Sequence, residues 1–209
     1  MSPVFGAVFL WLMATILWWS GWRGEAMEDV PHWAIGIFLA IWPLALLGNV
    51  TITPAFSVNG AWIWTLVMIM ILGWRTPAMR RWISVSAGIL LGSIFVVLSR
   101  LAHYPSGFSQ FVAPWGVAII IGLFAAVLLR HAAEQMLAIS TGFYLNEGID
   151  AFVHASLDSI QIIHASEWMQ GWWIALLSAR IVSVSAKAVV TATRKWALKI
   201  GGKRGGQRS

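Results

Sequence analysis

MLAISTGFYLNEGIDAFVHASL, residues 136–157, governs how many times the chain would cross a bilayer. It has the length of a membrane-crossing helix, about 20 residues, yet it carries Glu147, Asp150 and His154. Six other runs are more apolar: residues 3–22, 33–50, 58–74, 83–99, 111–129 and 168–190. The number of crossings is odd or even according to whether residues 136–157 thread the lipid.

Charge between the runs settles that reading. Short cytoplasmic connections are enriched in Lys and Arg. The 75–82 connection holds Arg75, Arg80 and Arg81, which places it in the cytoplasm. Alternation then puts Arg23, Arg130 and the tail residues Arg194, Lys195, Lys199, Lys203, Arg204 and Arg208 on the same side, and only Arg100 on the other. This division requires an odd count. The expected fold is all-α: a polytopic transmembrane bundle of about seven helices, N-terminus out and C-terminus in. Residues 1–193 form the bundle and residues 194–209 a basic cytoplasmic tail, Gly-rich and mobile at its end.

Composition agrees. Of 209 residues 59% are hydrophobic and 11% charged, against roughly 25% charged in soluble domains. Mean hydropathy is +0.76. These values exclude most water-soluble enzymes, disordered regulators and nucleic-acid-binding domains, because too few polar side chains exist to cover a soluble surface. The net charge of +6 belongs to residues flanking apolar runs, so nucleic acid is not an expected partner. The absence of Cys excludes disulfides, thiolate catalysis and Cys-ligated metals. The first run lacks a positive n-region and reads as a retained helix, not a signal peptide.

Prolines mark the connections. Pro31, Pro54, Pro77 and Pro105 each lie between runs, where Pro biases its predecessor away from helix. Pro43 falls inside the second run, where a kink is expected. Of 15 Trp residues, many fall at predicted ends: Trp18, Trp19, Trp22, Trp33, Trp74, Trp82, Trp115, Trp168, Trp172 and Trp196. Indoles favour the headgroup level, whereas Trp42 reads as a core or lipid-facing residue. Ser84, Gly88 and Gly92, and separately Ala175, Ala179 and Ser183, form small-residue stripes that allow close helix approach.

Candidate chemistry centres on the last two runs. Glu147, Asp150 and His154 are spaced three and four apart and share one helix face, with Tyr144 and Asn146 nearby. Glu147 precedes the outer connection by about as many residues as Arg180 follows it. Equal depth in adjacent antiparallel helices predicts an ion pair, since an isolated charge there costs about 2.5–3.5 kcal/mol or more. The cluster Glu147, Asp150, His154 and Arg180 is thus either a structural register lock, the favoured reading, or the lining of a polar cavity.

Other chemistries are weaker. Two carboxylates and a His could bind zinc or manganese, but His103, His131, His164 and Glu167 lie at ends or in a connection, and no metal or other cofactor is expected. Lys187 in the last helix resembles the retinal-bearing lysine of microbial rhodopsins, but the third run has no carboxylate counter-ion and Lys187 can snorkel. No phosphate loop, nucleophile elbow or dinucleotide fingerprint occurs. Asn49-Val50-Thr51 matches a glycosylation acceptor, a pattern short enough to arise by chance.

The opening helix ending Ser20-Gly21-Trp22-Arg23, together with Ile139-Ser140-Thr141-Gly142-Phe143-Tyr144-Leu145-Asn146-Glu147-Gly148, resembles the YphA-like membrane proteins of Gram-positive, spore-forming bacteria. The resemblance is one of layout across most of the chain. It implies a bacterial plasma-membrane protein and supplies no catalytic residues. The expectation is a non-enzymatic, structural or partner-binding membrane protein, with the lipid bilayer and a membrane protein as partners. The alternative is a small-solute, ion or proton transporter component using the Glu/Asp/Arg cluster.

Overall fold

A computed structural model describes the backbone of residues 2–21, 29–53, 56–102, 115–154, 161–162 and 165–205; within these, the side chains of 52–53, 56–57, 102, 154, 161–162, 165–166 and 195–205 are not described. Seven α-helices are present among the described residues: α1 Pro3–Trp19, α2 His32–Leu46, α3 Gly60–Arg75, α4 Ala78–Ala102, α5 Gly116–Leu128, α6 Ala132–His154 and α7 Ala165–Gly205. The expected runs and these helices correspond one to one. His103, Pro54, Pro105, Trp22, Arg23, His164 and residues 111–114 of the fifth run lie outside the described residues.

Local signals explain the ends. Ser2 accepts a hydrogen bond from the Phe5 N–H at 3.4 Å, with Pro3 opening α1, the usual N-cap chemistry. Gly21 follows α1 with φ +94°, which favours Gly and ends the helix. Thr76 closes α3 by donating both its N–H and its hydroxyl to the Leu72 carbonyl, at 3.0 and 2.8 Å. Pro77 then prevents continuation.

One region departs from an all-helical reading. The second run was expected to reach Val50 and the third to begin at Val58. Instead α2 stops at Leu46, and β1 Asn49–Thr53 pairs antiparallel with β2 Phe56–Asn59. β3 Gln161–Ile162 joins β2 in parallel. The β-branched succession Val50, Thr51, Ile52, Thr53 favours extended backbone. Asn59 locks the hairpin to the helices: its Nδ2 donates to Leu46 O at 3.0 Å and to Asn49 Oδ1 at 3.1 Å, while its Oδ1 accepts from the Ala61 N–H at 2.9 Å. At the other end α7 continues in helical backbone to Gly205, through the first part of the basic tail.

The helices alternate in direction. At one end Arg80 Nε faces Glu134 Oε1 at 3.6 Å, His131 pairs with Asp29, and the Arg75 guanidinium lies 5.0 Å from the Trp33 ring centroid. At the other end are the small sheet and the Arg100–Asp150 pair at 3.2 Å. Arg75, Arg80, Arg81 and Arg130 thus gather at one end and Arg100 at the other, the division that loop charge implied.

Glycine sets the closest approaches. A Cβ on Gly88 would meet Thr141 Cβ at 2.6 Å, and one on Gly92 would meet Gly142 Cα at 3.0 Å. The Ser84/Gly88/Gly92 stripe is therefore the seam on which parallel α4 and α6 touch. Gly122 of α5 likewise rests against the Ala175 carbonyl and the Ser178 hydroxyl of α7. Such contact maximises dispersion where backbones meet.

A chain of rings fills the core: Trp11 against Trp42, Trp42 against Trp173, then Trp172, Trp168, Tyr144 and Trp62. Trp168 and Trp172 are 6% and 2% exposed, which corrects their expected place in a headgroup belt. They lie at the start of α7, where that helix packs on α1, α5 and α6, so the interior takes them. Trp19 and Trp74, at helix ends, are 82% and 86% exposed.

Among the described residues two helices, over Ala78–Leu101 and Glu167–Arg194, are long and apolar enough to cross a membrane; α1, α2, α3 and α5 are shorter apolar helices. The decisive helix α6 has 23 residues but is not among the spans apolar enough to qualify.

Candidate functional site

The central element is α7. Its residues Trp172, Trp173, Leu176, Arg180 and Val184 recur at helical spacing and present one face. That face, with α1, α2, α3 and Met136 of α6, lines an open cleft of about 480 Å³. Ala14 and Leu17 of α1, Ala34 and Phe38 of α2, and Met68 and Leu72 of α3 complete the wall. The size suits one small guest.

Arg180 stands in this wall and is 5% exposed. Its Nη1 donates to Gln135 Oε1 at 2.9 Å. Gln135 is fully buried and its Nε2 donates to Ser183 Oγ and Leu129 O, both at 2.7 Å. Leu129 caps α5, so one amide satisfies a helix-end carbonyl, a hydroxyl of α7 and a guanidinium together.

A second cavity of about 220 Å³ adjoins at the Arg-rich end, lined by Asp29, Arg75, Thr76, Arg80, His131 and Glu134. Pro31, Leu72 and Arg75 border both cavities. The apolar cleft therefore adjoins a polar vestibule containing two pairs, Arg80–Glu134 and His131–Asp29.

The expected cluster separates into two places. Arg180 lies with Gln135, twelve residues before Glu147 on α6, an axial distance of about 18 Å. No Glu147–Arg180 bridge occurs among the described residues. Register is the cause: Trp172 Nε1 donates to Ser140 Oγ at 2.9 Å. Eight residues further along α7, Arg180 faces the start of α6, not its middle. Asp150 instead meets Arg100 of α4 at 3.2 Å. Glu147 is half-buried on the Asp150 side of α6 and lines neither cavity. The His154 side chain lies outside the described residues.

The remaining polar residues of α6 have local roles. Tyr144 donates its hydroxyl to the Trp62 carbonyl at 2.9 Å. Lys187 is exposed on α7 and borders neither cavity. Among the described residues no group of three or more His, Asp or Glu is arranged to hold a metal ion.

Sequence reasoning did not single out Gln135 or the Asp29–His131 and Arg80–Glu134 pairs. Gln135 lies just before the run beginning at Met136, where a polar residue reads as a loop. The usable signal was Ser183, a hydroxyl in an otherwise Ala stripe, which requires a partner when buried. No family model, curated protein or solved structure matches this chain.

Proposed function

We propose that this is a multi-pass plasma-membrane protein, without catalytic activity, that binds a small apolar guest in the cleft between α1, α2, α3 and α7. The single observation that carries the reading is the cavity of about 480 Å³ walled almost wholly by apolar side chains. A hydrocarbon exterior suits the outer surface, where Phe5, Phe9, Ile16, Leu44, Val97 and Val127 are exposed. In water, so large an apolar surface would drive aggregation. The N-terminus lies outside and the Arg-rich end in the cytoplasm. Kinship with the YphA-like membrane proteins belongs to the same proposal and rests on layout.

Binding is favoured over ion or proton transport. A transport path would use Glu147 and Asp150, and neither lines the cleft or the vestibule. The native chain has no cysteine, so Ala34→Cys, in the cleft wall, introduces a single thiol. In purified full-length protein its alkylation by a small maleimide should slow when a neutral long-chain alcohol is added. An unchanged rate at every alcohol concentration rejects the cleft as a binding site.

A further inference from the structure

Helix α7 outruns its neighbour α5. Gln135 joins Ser183 to the Leu129 carbonyl, so Ser183 is level with the end of α5. Helical backbone continues through residues 184–205, about 33 Å beyond that level. Ser185 is the last residue of α7 in the cleft lining. Every residue from Ser185 to Arg194 is exposed, and consecutive helical positions sample every face.

Composition changes along this stretch. The apolar span Glu167–Arg194 has 28 residues, about 42 Å of helix. That exceeds the hydrocarbon core of about 30 Å and matches the roughly 40–45 Å of a bilayer with its headgroups. At its end Arg194, Lys195, Lys199, Lys203 and Arg204 follow in close succession, and no acidic residue occurs after Glu167. At the same end of the bundle Asp29 and Glu134 face His131 and Arg80. Glu25 and Glu28 of the α1–α2 connection are too few to offset five cations.

The spacing is that of an amphipathic helix. Lys195, Lys199 and Lys203 recur every fourth residue and share one helix face. Val189, Trp196 and Ile200, spaced seven and four, share another. A cationic face beside an apolar one fits an anionic surface with hydrocarbon beneath it. Nucleic acid and free phosphate offer the charge without the hydrocarbon. The segment is tethered to the apolar span at headgroup level, so bilayer lipid meets it at higher effective concentration than any soluble acidic protein. Trp196 is a residue type that favours that level.

We infer that residues 194–204 of α7 form a docking face for anionic phospholipid headgroups at the cytoplasmic surface of the bilayer. This inference rests on the multi-pass arrangement proposed above and is independent of the cleft.

Ala197→Cys gives the cysteine-free chain one thiol to carry an NBD fluorophore, whose emission moves to the blue out of water. The full-length protein is placed in nanodiscs of phosphatidylcholine, or of an equimolar mixture with phosphatidylglycerol. The mixed discs should shift the emission to the blue. A headgroup-level nitroxide lipid should quench it there at least ~5-fold more strongly than in the neutral discs, the gain expected from even one cation near an anionic surface. Salt at ~1 M should abolish the difference, because screening then acts within about 3 Å. Joint Lys195→Gln, Lys199→Gln and Lys203→Gln should abolish it as well, and arginine at the same three positions should retain it. Glutamine and lysine have similar helix propensity, and circular dichroism checks that the helix persists. Arg81→Gln, at the start of α4, should keep the difference.

Equal blue emission in both discs overturns the inference and assigns the segment to apolar contact alone. Water-like emission in both overturns it in favour of a soluble acidic partner. Inorganic phosphate that reproduces the shift in neutral discs overturns it in favour of a soluble anion. A difference lost equally in Arg81→Gln assigns it to the charge of the whole bundle end and overturns it too. In each of these cases the multi-pass arrangement stands. A chain that stays in solution without detergent and enters neither disc overturns that arrangement and the inference with it.

Discussion

Arg180 and Gln135 meet across α7 and α6, with Nη1 donating to Oε1 at 2.9 Å in a fully buried setting. The same glutamine amide holds Ser183 and the Leu129 carbonyl. The contact fixes how far α7 slides along α6 and places Arg180 at the wall of the apolar cleft.

Removing that amide should be costly. Gln135→Leu deprives a guanidinium, a hydroxyl and a carbonyl of a partner at once. A buried polar group left unmatched costs about 1–3 kcal/mol, and more when charged. Gln135→Leu should therefore destabilise by about 3 kcal/mol, and Ser183→Ala by about 1 kcal/mol. Unfolding in mixed detergent measures both, and equal small losses would contradict the network.

The separation of Glu147 from Arg180 has its own test. A charge swap, Glu147→Arg with Arg180→Glu, should recover nothing beyond the two single substitutions, because residues about 18 Å apart along α6 do not pair. Folded yield of the four proteins forms a double-mutant cycle. Recovery in the double variant would show that α6 and α7 are shifted by about three turns from the described register.

Two glycines of opposite setting give a contrast. A Cβ at Gly88 meets Thr141 Cβ at 2.6 Å and the Ala138 carbonyl at 2.8 Å, whereas Gly148 has nothing within 4 Å. Gly88→Ala should destabilise by about 1–3 kcal/mol through overpacking. Gly148→Ala should be neutral or stabilise by up to ~1 kcal/mol, since Ala is the better helix former. Thermal unfolding ranks the two; Gly88→Ala as stable as the parent would show that α4 and α6 do not touch there.

Topology follows from the alternation of helices. Val50→Cys in β1 and Arg81→Cys at the start of α4 lie at opposite ends of the bundle. A membrane-impermeant maleimide applied to intact cells should label the thiol at position 50, and reach that at position 81 only after permeabilisation. Labelling of both from the same side would defeat the seven-crossing arrangement.

Apolar runs are legible because burial in hydrocarbon or in a protein core requires a continuous local property, and continuity is written along the chain. The Ser84/Gly88/Gly92 stripe is legible for a related reason: three small residues at one spacing must share a helix face. Val50 to Thr53 shows the limit, since β-branched residues suit a lipid-crossing helix and a strand alike. Asn59, which ties the hairpin to Leu46 and Asn49, was not singled out because its partners are ten and thirteen residues away.

The amino-acid sequence by itself determined seven helical segments, their approximate limits and the gathering of cations at alternate connections, all of them properties of consecutive residues. Tertiary structure alone decided which polar groups meet. Counting residues back from the 158–167 connection matched Glu147 with Arg180, but the Trp172–Ser140 hydrogen bond and the Gln135 network set the real register. The axial offset of two packed helices is the sum of many side-chain contacts, and no single segment encodes it. The same is true of the cleft, whose walls join the first three helices to Met136 of α6 and to α7 at the far end of the chain.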